Sequence, residues 1–207
     1  MQAFEKYYQM SAGDWVEDTP ESWYVSSVAE YLALSQFCIS LESSARELRQ
    51  SANRGKRGRT SKMYRSNGRA DIAIWEQDKD EEYYPDGLIE IKRAFKWSDG
   101  PFRKDLERLA VSLASTGQEA GTGTITFGAF LVVSAVGASK KSDAKTHLKK
   151  RFKSFRKRVE TFLNGFNESN PSKVKLELQS DLRLGHFYIE DKAMPSAMCF
   201  MLVGKSD

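Results

Sequence analysis

An almost continuously apolar run at residues 127–135 is the feature that most constrains the fold of this chain. A strand with polar residues at every second position can leave one face in water, whereas a continuous apolar strand must be covered on both faces. Helical apolar periodicity precedes this run at residues 101–115 and follows it at residues 142–165. We therefore predict an α/β fold in which helices flank a mixed central sheet.

The whole chain is predicted to form one domain. Its 207 residues are enough for one core and too few for two full domains. Three further strands are predicted towards the C-terminus, at residues 174–178, 184–189 and 197–203. No apolar run approaches the roughly 20 residues that span a bilayer, and the first residues lack a signal-peptide pattern. These observations predict a cytoplasmic protein without a membrane partner.

The net charge is only +4, but the basic residues are concentrated in two separate stretches. Such stretches suit a partner with a phosphate backbone, although each is also compatible with a solvated face or loop. The first contains Arg54, Lys56, Arg57, Arg59, Lys62, Arg65 and Arg69, and the second contains Lys149, Lys150, Arg151, Lys153, Arg156, Lys157 and Arg158.

A helix is predicted for residues 21–48, with a break near residues 43–44. Thr19 and Pro20 precede Glu21 in an order typical of a helix start. The glycine-containing basic segment that follows, at residues 51–67, has little apolar content and is predicted to be a loop or a hairpin.

Two strand patterns carry charged side chains on one face. Asp71 alternates with apolar neighbours in the first, and Glu90 and Lys92 share a face of the second, about 7 Å apart. A lysine and a glutamate in an otherwise apolar strand lose hydration, and a counter-charge, a metal or a substrate must offset that loss. The alternative is a cross-strand ion-pair network on an exposed sheet face.

The second carboxylate of the pair is predicted to be Asp71 and not Asp86. Three residues separate Asp86 from Glu90, too few to place it on a neighbouring strand, so Asp86 is assigned to a turn. Asp71 lies far enough upstream to pair with Glu90 through an antiparallel hairpin. Two converging carboxylates suit Mg²⁺, and Lys92 can orient a metal-bound water or offset charge on a phosphate.

At these residues the chain resembles the PD-(D/E)xK nuclease superfamily, which has a restriction-endonuclease-like fold. The core of that fold contains a helix, two strands that carry an acid and then an (Asp/Glu)-x-Lys triplet, a further helix and a fourth strand. The match covers about residues 21–135, with Asp71 as the first acid and Glu90 and Lys92 in the triplet. Ala70 stands where the family name has a proline.

The resemblance implies cleavage of nucleic acid, expected to be DNA, with magnesium or manganese. It implies the order helix-strand-strand-helix-strand, and leaves residues 136–207 as a C-terminal extension with a helix and additional strands. A glutamate from the first helix joins the metal site in many members; Glu30 is the best match, while Glu21 and Glu42 remain open. The predicted catalytic residues are Asp71, Glu90, Lys92 and Glu30, with Asp71, Glu90 and Glu30 as metal ligands.

Predicted nucleic-acid contacts come from the basic stretches and from one further helix. Lys104 and Arg108 lie one helical turn apart and can face phosphate, although pairing with Glu107 or Asp105 is the simpler interpretation. The predicted set is Arg57, Arg59, Arg69, Lys104, Arg108, Lys153, Arg156 and Lys157. The alternative function is a catalytically inactive module of the same fold that binds nucleic acid or protein, and a homodimer remains open in both cases.

Overall fold

The computed structural model of the chain describes residues 20–52, 68–93, 99–116, 123–137, 143–169, 174–184 and 193–206. These residues form helices on both faces of a six-stranded sheet, which confirms the predicted α/β class. In chain order the elements are α1 (Glu21–Leu34), β1 (Cys38–Ser44), α2 (Ala45–Ala52), β2 (Arg69–Gln77), β3 (Tyr83–Arg93), α3 (Asp99–Thr116), β4 (Phe127–Gly137), α4 (Ala144–Ser169), β5 (Val174–Leu184) and β6 (Ala193–Ser206).

The sheet is mixed, with the strand order β1-β2-β3-β4-β6-β5. Neighbouring strands are antiparallel except β3 and β4, which are parallel. A parallel pair needs a crossover connection, and α3 lies within that connection. The strands β5 and β6 extend the sheet beyond β4, so the C-terminal part of the chain shares one sheet with the predicted core.

The apolar run lies in β4, near the middle of the sheet, and is covered on both faces. Phe130 and Val132 belong to the larger core, to which α2, α3 and α4 contribute side chains. Val133 belongs to a smaller core beneath α1, and Leu131 packs against it. The sequence prediction of a strand buried on both faces is therefore confirmed.

The helix predicted at residues 21–48 is divided into a helix at residues 21–34, the strand β1 and the start of α2 at residues 45–48. The helix α1 ends at Leu34, and Gln36 follows with a left-handed φ of 66°. The backbone N–H of Phe37 donates to the carbonyl oxygen of Leu32 at 3.0 Å, and this hydrogen bond closes the helix end. The prediction of one long helix is wrong because this left-handed turn starts a strand.

The sequence does not predict the strand β1, because its apolar residues suit helical and extended spacing equally well. Its pairing with β2 decides between the two: Ile39 lies opposite Ile74, and Leu41 lies opposite Ile72. Since Ile39 and Ile72 both contribute to the core beneath α1, the extended conformation buries apolar surface there.

The end of β1 leads directly into α2. Ser44 caps this short helix by accepting the backbone N–H of Glu47 at 3.1 Å. The expected break near residues 43–44 is thus present, but it separates a strand from a helix. Residues 53–67, most of the predicted basic loop, lie outside the described residues.

The assignment of Asp86 to a turn is wrong, because β3 begins at Tyr83 and contains Asp86. Other elements agree better with the sequence prediction. The helices α3 and α4 and the strand β4 coincide with their predicted positions to within a few residues. Of the three predicted C-terminal strands, the first and third lie within β5 and β6, while residues 185–189 of the second lie outside the described residues. Among the described residues, no helix combines the length and hydropathy needed to cross a membrane.

Truncation of a core aromatic residue should destabilise the protein far more than truncation of an exposed one. Phe200 is fully buried and stacks on Phe152 at a ring-centroid distance of 5.6 Å, so Phe200→Ala should cost about 3–5 kcal/mol of unfolding free energy. Phe37 is half exposed, and Phe37→Ala should cost less than about 1 kcal/mol. Urea unfolding of both variants measures the difference; similar losses would contradict the described core.

Candidate active site

Asp71 and Glu90 lie on the neighbouring antiparallel strands β2 and β3. The register pairs Ile72 with Ile89 and Ala73 with Leu88, and one further step places Asp71 opposite Glu90. Opposed residues of an antiparallel pair share one face of the sheet. The backbone N–H of Ile91 donates to Asp71 Oδ2 at 2.7 Å, so the carboxylate of Asp71 reaches across to β3.

Lys92 lies at the end of β3 among several carboxylates. Its Nζ atom is 2.9 Å from Glu21 Oε1 and 3.7 Å from Asp105 Oδ2. The backbone N–H of Arg93 donates to the other oxygen of Glu21 at 3.3 Å. Glu21 is the first residue of α1 and Asp105 belongs to α3, so Lys92 connects the helix layers on the two faces of the sheet.

The carboxylate that α1 brings to this cluster is Glu21 and not Glu30, so our choice of residue is wrong. Glu30 is exposed and lies nine residues further along α1, a distance of about 13 Å along a helix axis. The face of α1 that favoured Glu30 is mostly exposed, with Leu34 79% exposed. Tyr24, Val25 and Ala29 form the face that packs on the core beneath α1. The other alternative, Glu42, acts on Asp71 through its charge and lies 3.9 Å from Arg69.

Glu90 is the most buried charged residue of the site, with 1% of its surface exposed. Arg108 of α3 donates from Nε to Glu90 Oε1 at 2.9 Å, and its Nη2 atom lies 2.9 Å from the same oxygen in an ion pair. Nη2 of Arg108 also donates to Asp105 Oδ1 at 2.6 Å. Glu90 Oε2 is buried without a hydrogen-bond partner among the described residues.

The pKa values of Glu90, Asp71 and Lys92 are all raised from their ordinary values, and burial affects each of them. It raises the pKa of Glu90 to about 8, outweighing the opposing effect of the Arg108 guanidinium, and the charges of Asp71 and Asp105 add to the rise. Burial also raises the pKa of Asp71, against the lowering effect of the Ile91 N–H. For Lys92 burial lowers the pKa, but the hydrogen bond to Glu21 and the nearby carboxylates raise it more, so the net shift is upward. Such shifts are typical of functional sites, although structural ion pairs also cause them.

The two facing carboxylates have oxygen atoms left to bind a cation. Asp71 Oδ2 accepts a hydrogen bond from the Ile91 N–H, and Asp71 Oδ1 takes no part in that bond. Glu90 Oε1 accepts a hydrogen bond from Arg108. Glu90 Oε2 has no partner within the described part of the chain. Mg²⁺ commonly binds through one or two carboxylates and keeps several waters. Over the described ranges, no three or more His, Cys, Asp or Glu side chains are grouped to hold a metal. The residues therefore fit a hydrated divalent cation held by two carboxylates, and not an all-protein cage.

Asp105 and Arg108 are site residues that sequence reasoning missed or misplaced. Arg108 is predicted to contact phosphate, but the structure pairs it with Glu90 and Asp105. The pairing with Asp105 was the simpler alternative, and its sequence signal is the spacing of three residues on one helix. Nothing in the sequence pattern indicates that Arg108 also reaches β3.

The other predicted nucleic-acid contacts are mostly exposed. Lys104, Lys153 and Lys157 are exposed on α3 and α4, and Arg69 is exposed near Glu42. Arg156 is also exposed and pairs with Glu160 at 2.7 Å. Arg57 and Arg59 lie outside the described residues.

The basic part of α4 lies towards the same end of the sheet as Lys92. Because β3 and β4 are parallel, α3 and α4 follow strands that finish at the same end. The rings of Phe102 and Phe155 are 5.7 Å apart, so the start of α3 lies level with the middle of α4. Lys153 and Lys157 lie two residues before and after Phe155, on the exposed side of α4. The earlier turns of α4 extend further towards the end at which Lys92 lies.

Comparisons of the chain with protein-family models, with curated proteins and with solved structures found no match. An α/β architecture alone does not select a function, because such folds host many unrelated activities. The chemistry of the site itself is therefore the guide to function.

The raised pKa of Glu90 should make stability fall with rising pH. The unfolded carboxyl group loses its proton near its ordinary value of 4.5, whereas the folded one keeps it up to about 8. The folded state therefore binds more protons in this window, and its unfolding free energy falls as the pH rises, with little further change above the window. Glu90→Gln should flatten that fall by up to about 1.4 kcal/mol per pH unit.

Urea unfolding at several pH values measures this slope. Glu30→Gln, which alters an exposed glutamate, is the matched control and should keep the wild-type slope. Equal slopes for wild type and Glu90→Gln would contradict the described environment of Glu90.

Proposed function

We propose that this protein is a metal-dependent nuclease that hydrolyses phosphodiester bonds of DNA with Mg²⁺ or Mn²⁺. The observation that carries the proposal is the placement of Asp71 and Glu90 face to face on neighbouring strands, with Lys92 two residues further along the strand of Glu90. Buried carboxylates lose hydration, which counter-charges or a bound ligand must offset. Arg108 offsets part of this loss for Glu90, and Glu90 Oε2 is still without a partner among the described residues.

Each residue has a role in this proposal. Asp71 and Glu90 hold the cation through Asp71 Oδ1 and Glu90 Oε2. The cation, when bound, supplies charge to polarise a phosphodiester and to acidify a bound water. Lys92 orients that water or offsets charge on the phosphate, and Glu21 positions Lys92 through its 2.9 Å contact.

The arrangement of elements around the site supports a PD-(D/E)xK-like assignment. In that superfamily a helix and a fourth strand follow the lysine of the triplet. Here α3 and then β4 follow Lys92, and the presence of β1 makes β4 the fourth strand among the described residues. The acid and the triplet lie on β2 and β3, as the assignment requires.

Positive charge on α4 supports a nucleic-acid substrate. A site built from carboxylates repels phosphates, so nearby cations must compensate. Lys153 and Lys157 are exposed on the helix that packs beside α3 through Phe155. We propose that this face of α4 contacts the phosphate backbone.

A second candidate is a catalytically inactive module that binds nucleic acid or protein. The guanidinium of Arg108 favours it, because Nε donates to Glu90 Oε1 and Nη2 forms an ion pair with the same oxygen. A positive side chain on that carboxylate lowers its need for a cation. Binding without cleavage would distinguish this module from the nuclease.

Cleavage of DNA should require the metal ion, the carboxylate of Asp71 and the amine of Lys92. Plasmid and single-stranded DNA should be cut with Mg²⁺ or Mn²⁺ and left intact with EDTA. Asp71→Asn and Lys92→Met should each lower the cleavage rate about 10²-fold or more, because they remove a metal ligand and the charge that assists the reacting water.

Asp181→Asn is the matched control for this assay, since Asp181 is an exposed aspartate on β5 that pairs with Arg183. It should cleave at the wild-type rate. Salt-dependent DNA binding without cleavage in either metal would reject the nuclease and favour the inactive module.

The basic face of α4 should contribute to the salt dependence of DNA binding. Each phosphate contact that is lost should flatten the slope of log affinity against log salt by about 0.9 on duplex DNA. Replacing Lys153, Arg156 and Lys157 together by alanine should therefore weaken binding and reduce the slope, with metal affinity almost unchanged.

A triple replacement of exposed cations elsewhere controls for net charge. Lys79 lies in the turn between β2 and β3, and Lys175 and Arg183 lie on the edge strand β5. Alanine at these three positions should leave the slope close to that of wild type. If both triple variants reduce the slope equally, α4 is not a specific contact surface.

A further inference from the structure

We propose that Arg108 is an exchangeable counter-ion, which holds Glu90 in the metal-free protein and withdraws to Asp105 when a divalent cation binds. The proposal rests on the proposed function, because it assumes that Glu90 is a metal ligand. It adds a regulatory step: the arginine and the cation compete for the same carboxylate, so the site exists in an arginine-held state and a metal-held state.

The contacts of Arg108 fit a side chain with two alternative partners. It donates to Glu90 Oε1 at 2.9 Å and to Asp105 Oδ1 at 2.6 Å, and the shorter contact is to Asp105. Asp105 lies three residues before Arg108 on the same helix. Release of Glu90 therefore leaves the guanidinium with a carboxylate partner, and neither charge becomes unpaired.

The side chain of Arg108 is also partly exposed to solvent. Its exposed fraction is 30%, against 1% for Glu90, so the arginine approaches the buried carboxylate from the solvent side. Glu90 itself lies on a strand and is fixed by the sheet.

The charge of the cluster matches one divalent cation. Its members are the four carboxylates of Glu21, Asp71, Glu90 and Asp105 and the two cations Lys92 and Arg108. With all six groups ionised, the cluster carries a formal charge of −2. One Mg²⁺ or Mn²⁺ neutralises this charge while Arg108 stays in the cluster, paired with Asp105.

Metal titration of the protein without DNA tests the proposal. The affinity for Mn²⁺ is measured by calorimetry for wild type, Arg108→Met and Arg108→Lys at one pH above 8. Removing the competing side chain should tighten binding by about tenfold or more, because a charge-assisted hydrogen bond no longer has to be broken. Arg108→Lys keeps a positive charge and should stay within about threefold of wild type.

Two features make tighter Mn²⁺ binding by Arg108→Met informative. Loss of the Arg108 charge raises the pKa of Glu90 further, which weakens metal binding and so opposes the expected result. A merely structural Arg108 would also weaken binding when removed, since Glu90 would lose its orientation. Arg103→Met is the matched control: it removes an exposed arginine of the same helix and should leave the affinity unchanged.

A double-mutant cycle with Asp105→Asn tests the retreat of Arg108. In the wild-type background this change removes the second partner of the arginine and should weaken metal binding. In the Arg108→Met background the same change should have a smaller effect, and the difference measures coupling between the two residues. Additive effects would contradict withdrawal to Asp105.

The outcomes separate this inference from the proposed function. Mn²⁺ binding by wild type that is unchanged or weaker in folded Arg108→Met overturns the counter-ion role and leaves the nuclease proposal intact. Absence of binding in wild type and in both Arg108 variants overturns both proposals. Binding that appears only in Arg108→Met supports the inference in its strongest form. Circular dichroism checks folding, and Arg108→Gln replaces the methionine variant if that variant does not fold.

Discussion

Burial of the Glu90 carboxylate is the constraint on which the rest of the site depends. A carboxylate on a fully covered sheet face is costly unless hydrogen bonds and opposite charge compensate for lost hydration. Arg108 provides part of that compensation from α3, but Glu90 Oε2 remains without a partner among the described residues. Asp105 then orients Arg108 and approaches Lys92, whose main contact is Glu21. One buried charge thus requires a network that joins helices from both faces of the sheet.

Most of the fold could be predicted from the period of its apolar residues. The strands β2, β3 and β4 and the helices α3 and α4 have patterns long enough to distinguish a period of two from one of 3.6. The strand β1 could not be predicted, because its few apolar residues fit both periods. Pairing with β2 selects the extended form, and that information lies about thirty residues away in the chain.

The sequence predicts the site residues that lie on strands. It does not predict the contacts that depend on how the helices pack against the sheet. Alternation alone places Glu90 and Lys92 on one face, and a hairpin brings Asp71 opposite them. The choice between Glu21 and Glu30 depends on which end of α1 lies beside β3. The apolar pattern of one helix does not carry that information. The contact of Arg108 with Glu90 depends likewise on how α3 packs against the sheet.

The backbone at Glu42 has a consequence for the outer edge of the sheet. β1 is an edge strand, and Glu42 interrupts it with a φ of 52°, between the paired positions Leu41 and Ser43. A regular edge strand offers a row of unpaired N–H and C=O groups on which another chain can add a strand and begin to aggregate. The left-handed residue turns part of that row out of line. Glu42 should therefore make this edge of the described sheet, where Leu41 is half exposed, a poorer template for an added strand.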